Sequence, residues 1–187
     1  TMNPPVEEFM RAIEETPARQ ILVLPNNKNL ILAAKQAQQL VDRPIEVIPS
    51  KNVPAGISAL LVFNDSMTLE ENRERMCQQL EEIKAGEITY AVRDAALGDQ
   101  EIKEGELIGI YQGEIAAAGS SQEDVVLALL EKMVDKEDEL VTLYSGEDVA
   151  PEIVEGILER VKVTYPELEV DAHQGDQPIY YFLISVE

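Results

Sequence analysis

Apolar positions along this chain alternate between a helical and a strand period. Val6, Phe9, Met10 and Ile13 fall on one face of a helix. Asn3 can cap that helix, Pro4 and Pro5 suit its first turn, and Pro17 ends it. Ile21-Leu22-Val23-Leu24 is a continuous apolar run, as expected of a strand buried on both sides. After Asn26-Asn27-Lys28-Asn29, a second helix turns Leu30, Ala33, Ala34, Ala37, Leu40 and Val41 inward. Ile45 to Ile48 forms a short strand, and Pro54 opens an apolar helix through Phe63. This order predicts a parallel sheet with right-handed crossovers. Thr68 and Glu71 then have capping-box spacing before a long amphipathic helix with a Leu69, Met76, Leu80 and Ile83 stripe, stopped at Gly86.

Beyond Gly86 the pattern changes. Ile88 to Val92 reads as a strand, and Leu107 to Tyr111 and Glu114 to Ala118 as a hairpin across Gln112-Gly113. Ser121 and Asp124 start a helix that buries Val125, Val126, Leu129, Leu130 and Met133. A strand from Leu140 to Tyr144 precedes a helix with Pro151 in its first turn and Ile153, Ile157, Leu158 and Val161 inward. Leu168 to Ala172 and Ile179 to Val186 are the last strands, flanking a hairpin-like loop at His173. The expected fold is α/β in two subdomains. Residues 1–86 form a parallel βαβ unit, and residues 87–187 a mixed α/β sheet with a hairpin.

Composition narrows the chemistry. The 187 residues include 36 acidic and 15 basic side chains, for a formal net charge of −21. Such a surface repels nucleic-acid phosphates and anionic lipid heads and favours basic partners. No apolar run approaches the ~20 residues that cross a bilayer, so membrane insertion is not expected. One cysteine excludes an internal disulfide and makes the cytoplasm the default compartment. One histidine and one cysteine leave no His/Cys metal cluster. Neither a Gly-x4-Gly-Lys-Ser/Thr loop nor a Gly-x-Gly-x-x-Gly fingerprint is present, so no nucleotide or other cofactor is expected on this chain. Thr1 before Met2 reads as a piece of a longer polypeptide or as a tag remnant.

Two polar loops and one basic residue are the candidate ligand or partner contacts; no catalytic or metal-binding residue is assigned. Asn26, Asn27, Lys28 and Asn29 join a strand end to a helix start, where free N–H groups favour an anion. Asparagine is also a common turn and cap residue, and that reading outweighs the binding one. Arg93 is a candidate clamp for a carboxylate or phosphate, though a structural partner of Asp94 or of another of the many acids is the favoured reading. His173, Gln174, Gly175 and Gln177 combine imidazole, amides and a glycine at a strand end, which suits a carboxylate or phosphate; a surface loop explains them equally well. Tyr180, Tyr181 and Phe182 read as sheet packing, with Tyr180 and Phe182 on one face. Cys77 reads as a small packing residue.

Several blocks together resemble one family: Thr1-Met2-Asn3-Pro4, Leu24 to Asn29, Thr89 to Asp94, Gly146-Glu147-Asp148 and Pro178 to Glu187. The chain resembles, over its whole length, the carboxyl-terminal region of the dihydroxyacetone-kinase-like proteins that serve as the kinase component of bacterial fatty acid kinase. That resemblance implies a non-catalytic region whose ATP and Mg site lies in an upstream kinase domain. It also implies a role in phospholipid metabolism and a parent chain able to form a homodimer. The implied partner is a DegV-like fatty-acid-binding protein that presents an acyl carboxylate for phosphorylation. The last part, from Gly146-Glu147-Asp148 to His173-Gln174-Gly175-Asp176, is similar to DegV-like proteins themselves, which carry a His-x-Gly-Pro-Gly loop. Here Asp176-Gln177 replaces the Pro-Gly half. A DegV-type domain for a small acyl or phosphate ligand is therefore the alternative reading.

Overall fold

The computed structural model describes residues 4–187 and divides the chain into two compact units, one ending at Ile83 and the other spanning Lys84–Glu187. The expected Asn3 cap lies outside the described residues.

In the first unit, α1 (Val6–Glu15) packs Val6, Phe9 and Met10 with buried Ile13 against Ala37 and Ile45. The Arg43 guanidinium caps its carboxyl end, donating to the carbonyls of Ile13 (2.5 Å), Thr16 (3.0 Å) and Ala18. Strands β1 (Ile21–Val23) and β2 (Ile45–Val47) pair in parallel around α2 (Ile31–Leu40). β1 forms where the apolar run begins but is only half-buried, because its sheet has two strands. Leu40, expected inward, is exposed; the face of α2 that packs is made by Ala34 and Ala37. Helix α3 (Val53–Leu61) is capped by the Asn52 side chain. Helix α4 (Leu69–Glu82) begins with the complete Thr68–Glu71 capping box. Its buried Asn72 bonds both backbone groups of Asn64 at 2.8 Å and the Thr68 carbonyl at 3.1 Å, closing the turn before the helix. Helix α4 ends at Glu82, with Ile83 as its cap, and not at Gly86, which lies inside a strand and is packed against Met133 and Leu129.

The second unit is built on a six-stranded mixed sheet. Its strands are β3 (Lys84–Tyr90), β6 (Leu107–Tyr111), β7 (Glu114–Gly119), β8 (Leu140–Ser145), β9 (Glu169–Gln174) and β10 (Phe182–Val186), with β4 (Ala95–Leu97) and β5 (Gln100–Ile102) forming a separate small hairpin. The order across the sheet is β7-β6-β3-β10-β8-β9. Gln112 and Gly113 both have positive φ, 55° and 85°, as the two-residue β6–β7 turn requires. Helices α5 (Gln122–Met133) and α6 (Pro151–Thr164) cover the apolar face, where Ile88, Leu129, Leu143, Ile157, Phe182 and Ile184 are fully buried.

Two expectations need correction. β9 and β10 are not hairpin neighbours: β8 lies between them, parallel to β9 through the α6 crossover and antiparallel to β10. Tyr180 and Tyr181 are not strand residues, since β10 begins at Phe182. They belong to the segment that carries the chain across the end of β8.

Candidate functional site

The sheet directions define one edge of the second unit. β3 and β8 are both antiparallel to β10, and β9 is parallel to β8, so the carboxyl ends of β3, β8 and β9 emerge together. In open α/β sheets that edge is where ligands meet loop backbone. Here it is crossed by residues 175–181, stitched down at every step. The N–H groups of Gly175 and Asp176 donate to the Ser145 carbonyl at 2.8 and 3.2 Å. Glu147 donates to the Gln177 carbonyl at 3.3 Å and Gly146 to the Tyr181 carbonyl at 2.8 Å. The Thr89 hydroxyl donates to the Ile179 carbonyl at 3.0 Å, and the Tyr181 N–H to the Ile88 carbonyl at 2.9 Å.

Such a path forces unusual backbone. Ile179 has φ 78° and closes a three-residue turn in which the Tyr180 N–H donates to the Pro178 carbonyl at 2.9 Å. Positive φ at a β-branched residue is rare and costs about 1–3 kcal/mol. Asp176 is also left-handed, at φ 52°.

The predicted polar cluster is therefore distributed. His173 lies in β9, with Nε2 3.2 Å from Asp171 Oδ2 on the same strand face and its ring tilted against Tyr144 at 5.8 Å. Gln174 turns to Asp176, its Nε2 donating to Oδ1 at 2.7 Å. Gln177 donates to the Tyr144 carbonyl at 2.8 Å, while its Oε1 lies where a Gly175 side chain would stand. Imidazole and amides thus serve three separate partners within the chain. Arg93 is exposed and does not pair Asp94, whose partners are Lys103 Nζ at 3.4 Å and the Glu104 N–H at 3.0 Å. That N–H, and then Lys103, hold the Asp94 carboxyl below its usual range.

Beside the 177–181 segment is a cavity of about 130 Å³ lined by Tyr90, Asp148, Gln177, Ile179, Tyr180 and Tyr181. Burial, and then the Glu87 carboxylate, raise the Tyr180 phenol above its ordinary pKa. Of these six residues, the sequence pointed only to Gln177 as a site residue. The available signal for the other five was position: Tyr90 ends β3, Asp148 follows β8, Ile179, Tyr180 and Tyr181 precede β10, and each lies in a block already distinctive in the sequence.

In the first unit, Asn26 sits at the end of β1 with φ 53°. Its N–H donates to the buried Ser50 hydroxyl at 3.0 Å, which donates back to Asn26 Oδ1 at 2.7 Å. A Cβ on Gly56 would fall 1.9 Å from that Oδ1, so the first turn of α3 accepts Asn26 only because residue 56 is glycine. Asn27 Oδ1 accepts from the Asn29 N–H at 2.9 Å, a local turn, and Lys28 and Asn29 are exposed. Cys77 packs against Ile48, Ala59 and Met76, and burial raises its thiol. Among the described residues, no group of three His, Cys, Asp or Glu side chains is placed to hold a metal, and no helix is long and apolar enough to cross a membrane.

Residues 1–187 match the FakA-like C-terminal family model, which describes the C-terminal region of one fatty acid kinase component and its relatives. Uncharacterized proteins of Staphylococcus haemolyticus and Staphylococcus aureus N315 are 38% and 37% identical over the whole chain, which covers 34% of each. The chain thus spans about a third of the length of the curated relatives it matches. A DegV family protein from Corynebacterium glutamicum superposes with a TM-score of 0.70 at 16% identity, covering 98% of this chain and 81% of that one. The Streptococcus pneumoniae fatty acid kinase B3 protein, loaded with linoleic acid, gives 0.69 at 16%, covering 98% and 76%. The dihydroxyacetone kinase of C. freundii gives 0.61 at 12%, covering 98% and 41%. At these identities the three structures establish a shared fold.

Proposed function

The chain belongs to the FakA-like C-terminal family of fatty acid kinase, and from that premise we propose that it is a docking region. It holds a DegV-like fatty-acid-binding protein so that the carrier's acyl carboxylate reaches a kinase domain elsewhere in the parent polypeptide. ATP and Mg are bound by that kinase domain, and this chain contributes no catalytic group.

One observation carries the reading: the strand-end edge is spent on its own architecture. His173 Nε2 lies 3.2 Å from Asp171 Oδ2, and Gln174 and Gln177 donate to Asp176 and to the Tyr144 carbonyl. A fold shared with acyl carriers is thereby a rigid surface instead of a converging cradle for a carboxylate. The net charge of −21 suits a carrier with a basic face and an association rate that falls with salt. Sedimentation of the chain mixed with a DegV-like carrier tests it: a complex that dissociates as salt rises is expected, and independent sedimentation at low salt would refute it.

A second reading, a domain for a small acyl or phosphate ligand, rests on the likeness to the linoleic-acid-loaded protein. It predicts fatty acid released by solvent extraction of the purified chain.

A further inference from the structure

We infer that the cavity bounded by Tyr90, Asp148, Ile179, Tyr180 and Tyr181 is the receptor for one basic side chain, arginine foremost, presented by the carrier protein. The inference rests on the docking reading and gives it a point of contact. Three features support it. Among the described residues no cation stands beside the Asp148 carboxylate, whereas Asp94, Asp124 and Asp138 are each paired to a lysine or arginine. Three of the six lining residues are tyrosines, whose ring faces attract a cation, the more so when it is desolvated. Two of the lining residues, Tyr90 and Ile179, also present apolar surface to solvent, at 40% and 51% exposed. A lining that combines one carboxylate with tyrosines and an isoleucine fits a guanidinium, whose flat faces stack while its edge donates to a carboxylate.

The backbone explains why the cavity is preformed. The strained Ile179 turn is held by Thr89, and the path over Gly146 is open only because residue 146 has no side chain. A rigid receptor loses little freedom on binding.

The test compares equilibrium binding of the carrier to the 187-residue chain, to Asp148→Asn, to Tyr90→Leu and to a control, Glu159→Gln, an exposed carboxylate on α6. Circular dichroism and melting confirm the fold of each. Asp148→Asn and Tyr90→Leu are each expected to weaken binding about tenfold, with a shallower salt dependence for Asp148→Asn, and the control to bind within about twofold of the wild type. If the wild type binds and both site variants match it, the inference fails and the docking reading stands. If the wild type does not bind, the docking reading fails. The cavity chemistry is then decided by titrating N-acetylarginine methylamide, with N-acetylnorleucine methylamide as comparator. Shifts of the Asp148 and Tyr180 amide resonances with the arginine compound alone support the cation site, and their absence overturns it.

Discussion

A methyl group on Gly146 would lie 2.2 Å from the carbonyl oxygen of Tyr180. That close approach fixes how the segment before β10 crosses the end of β8. Gly146→Ala must push the segment off the edge and break the Gly146–Tyr181 hydrogen bond (2.8 Å). The expected cost is about 2–4 kcal/mol, read as a lower urea midpoint, together with loss of carrier binding.

Ile179→Gly should do the opposite to stability. Glycine adopts the φ of 78° without strain, so unfolding of the second unit should need about 1 kcal/mol more. A lower midpoint would mean that Ile179 packing outweighs its backbone cost.

Asn72 is buried and bonds backbone groups of Asn64, Met67 and Thr68 through both ends of its amide. Asn72→Ala takes the Asn64 N–H's acceptor away, while the Thr68 and Asn64 carbonyls keep the N–H groups of residues 72 and 67; the cost should be about 1–3 kcal/mol, and Asn72→Asp should cost more because Nδ2 becomes an acceptor facing those carbonyls. Chemical denaturation of the two variants checks the order.

The α4 capping box predicts a pH dependence. The Thr68 N–H, and then its hydroxyl, each 2.8 Å from Glu71 Oε2, hold the Glu71 carboxyl below its usual range. Its folded pKa lies below the unfolded one, so its contribution is present at neutral pH and is lost as pH falls through the folded value. The urea midpoint should drop from pH about 5 to about 3, and the drop should be smaller in Glu71→Gln.

Local signals located most of these elements. The capping box, the Ser121 cap and the Gln112-Gly113 turn are each set by three or four consecutive residues, and each formed as expected. Strand neighbours are set over longer distances. β9 follows β8 through α6, and only the pairing of β10 with both β3 and β8 places β8 between β9 and β10. Nothing within residues 173–182 reveals that arrangement. The β4–β5 hairpin went unread because Ala95–Leu97 and Gln100–Ile102 are too short to show alternation. At the candidate site, the block around Gly146 was visible but its reason was not, because the atom that requires glycine belongs to Tyr180.

The decisive experiment compares carrier binding by the parent polypeptide with and without this region. If this region docks the carrier, deletion abolishes the complex with a DegV-like fatty-acid-binding protein, and the 187-residue chain added in trans competes for the carrier with the intact polypeptide. Undiminished carrier binding after the deletion, with no competition from the added chain, would contradict it.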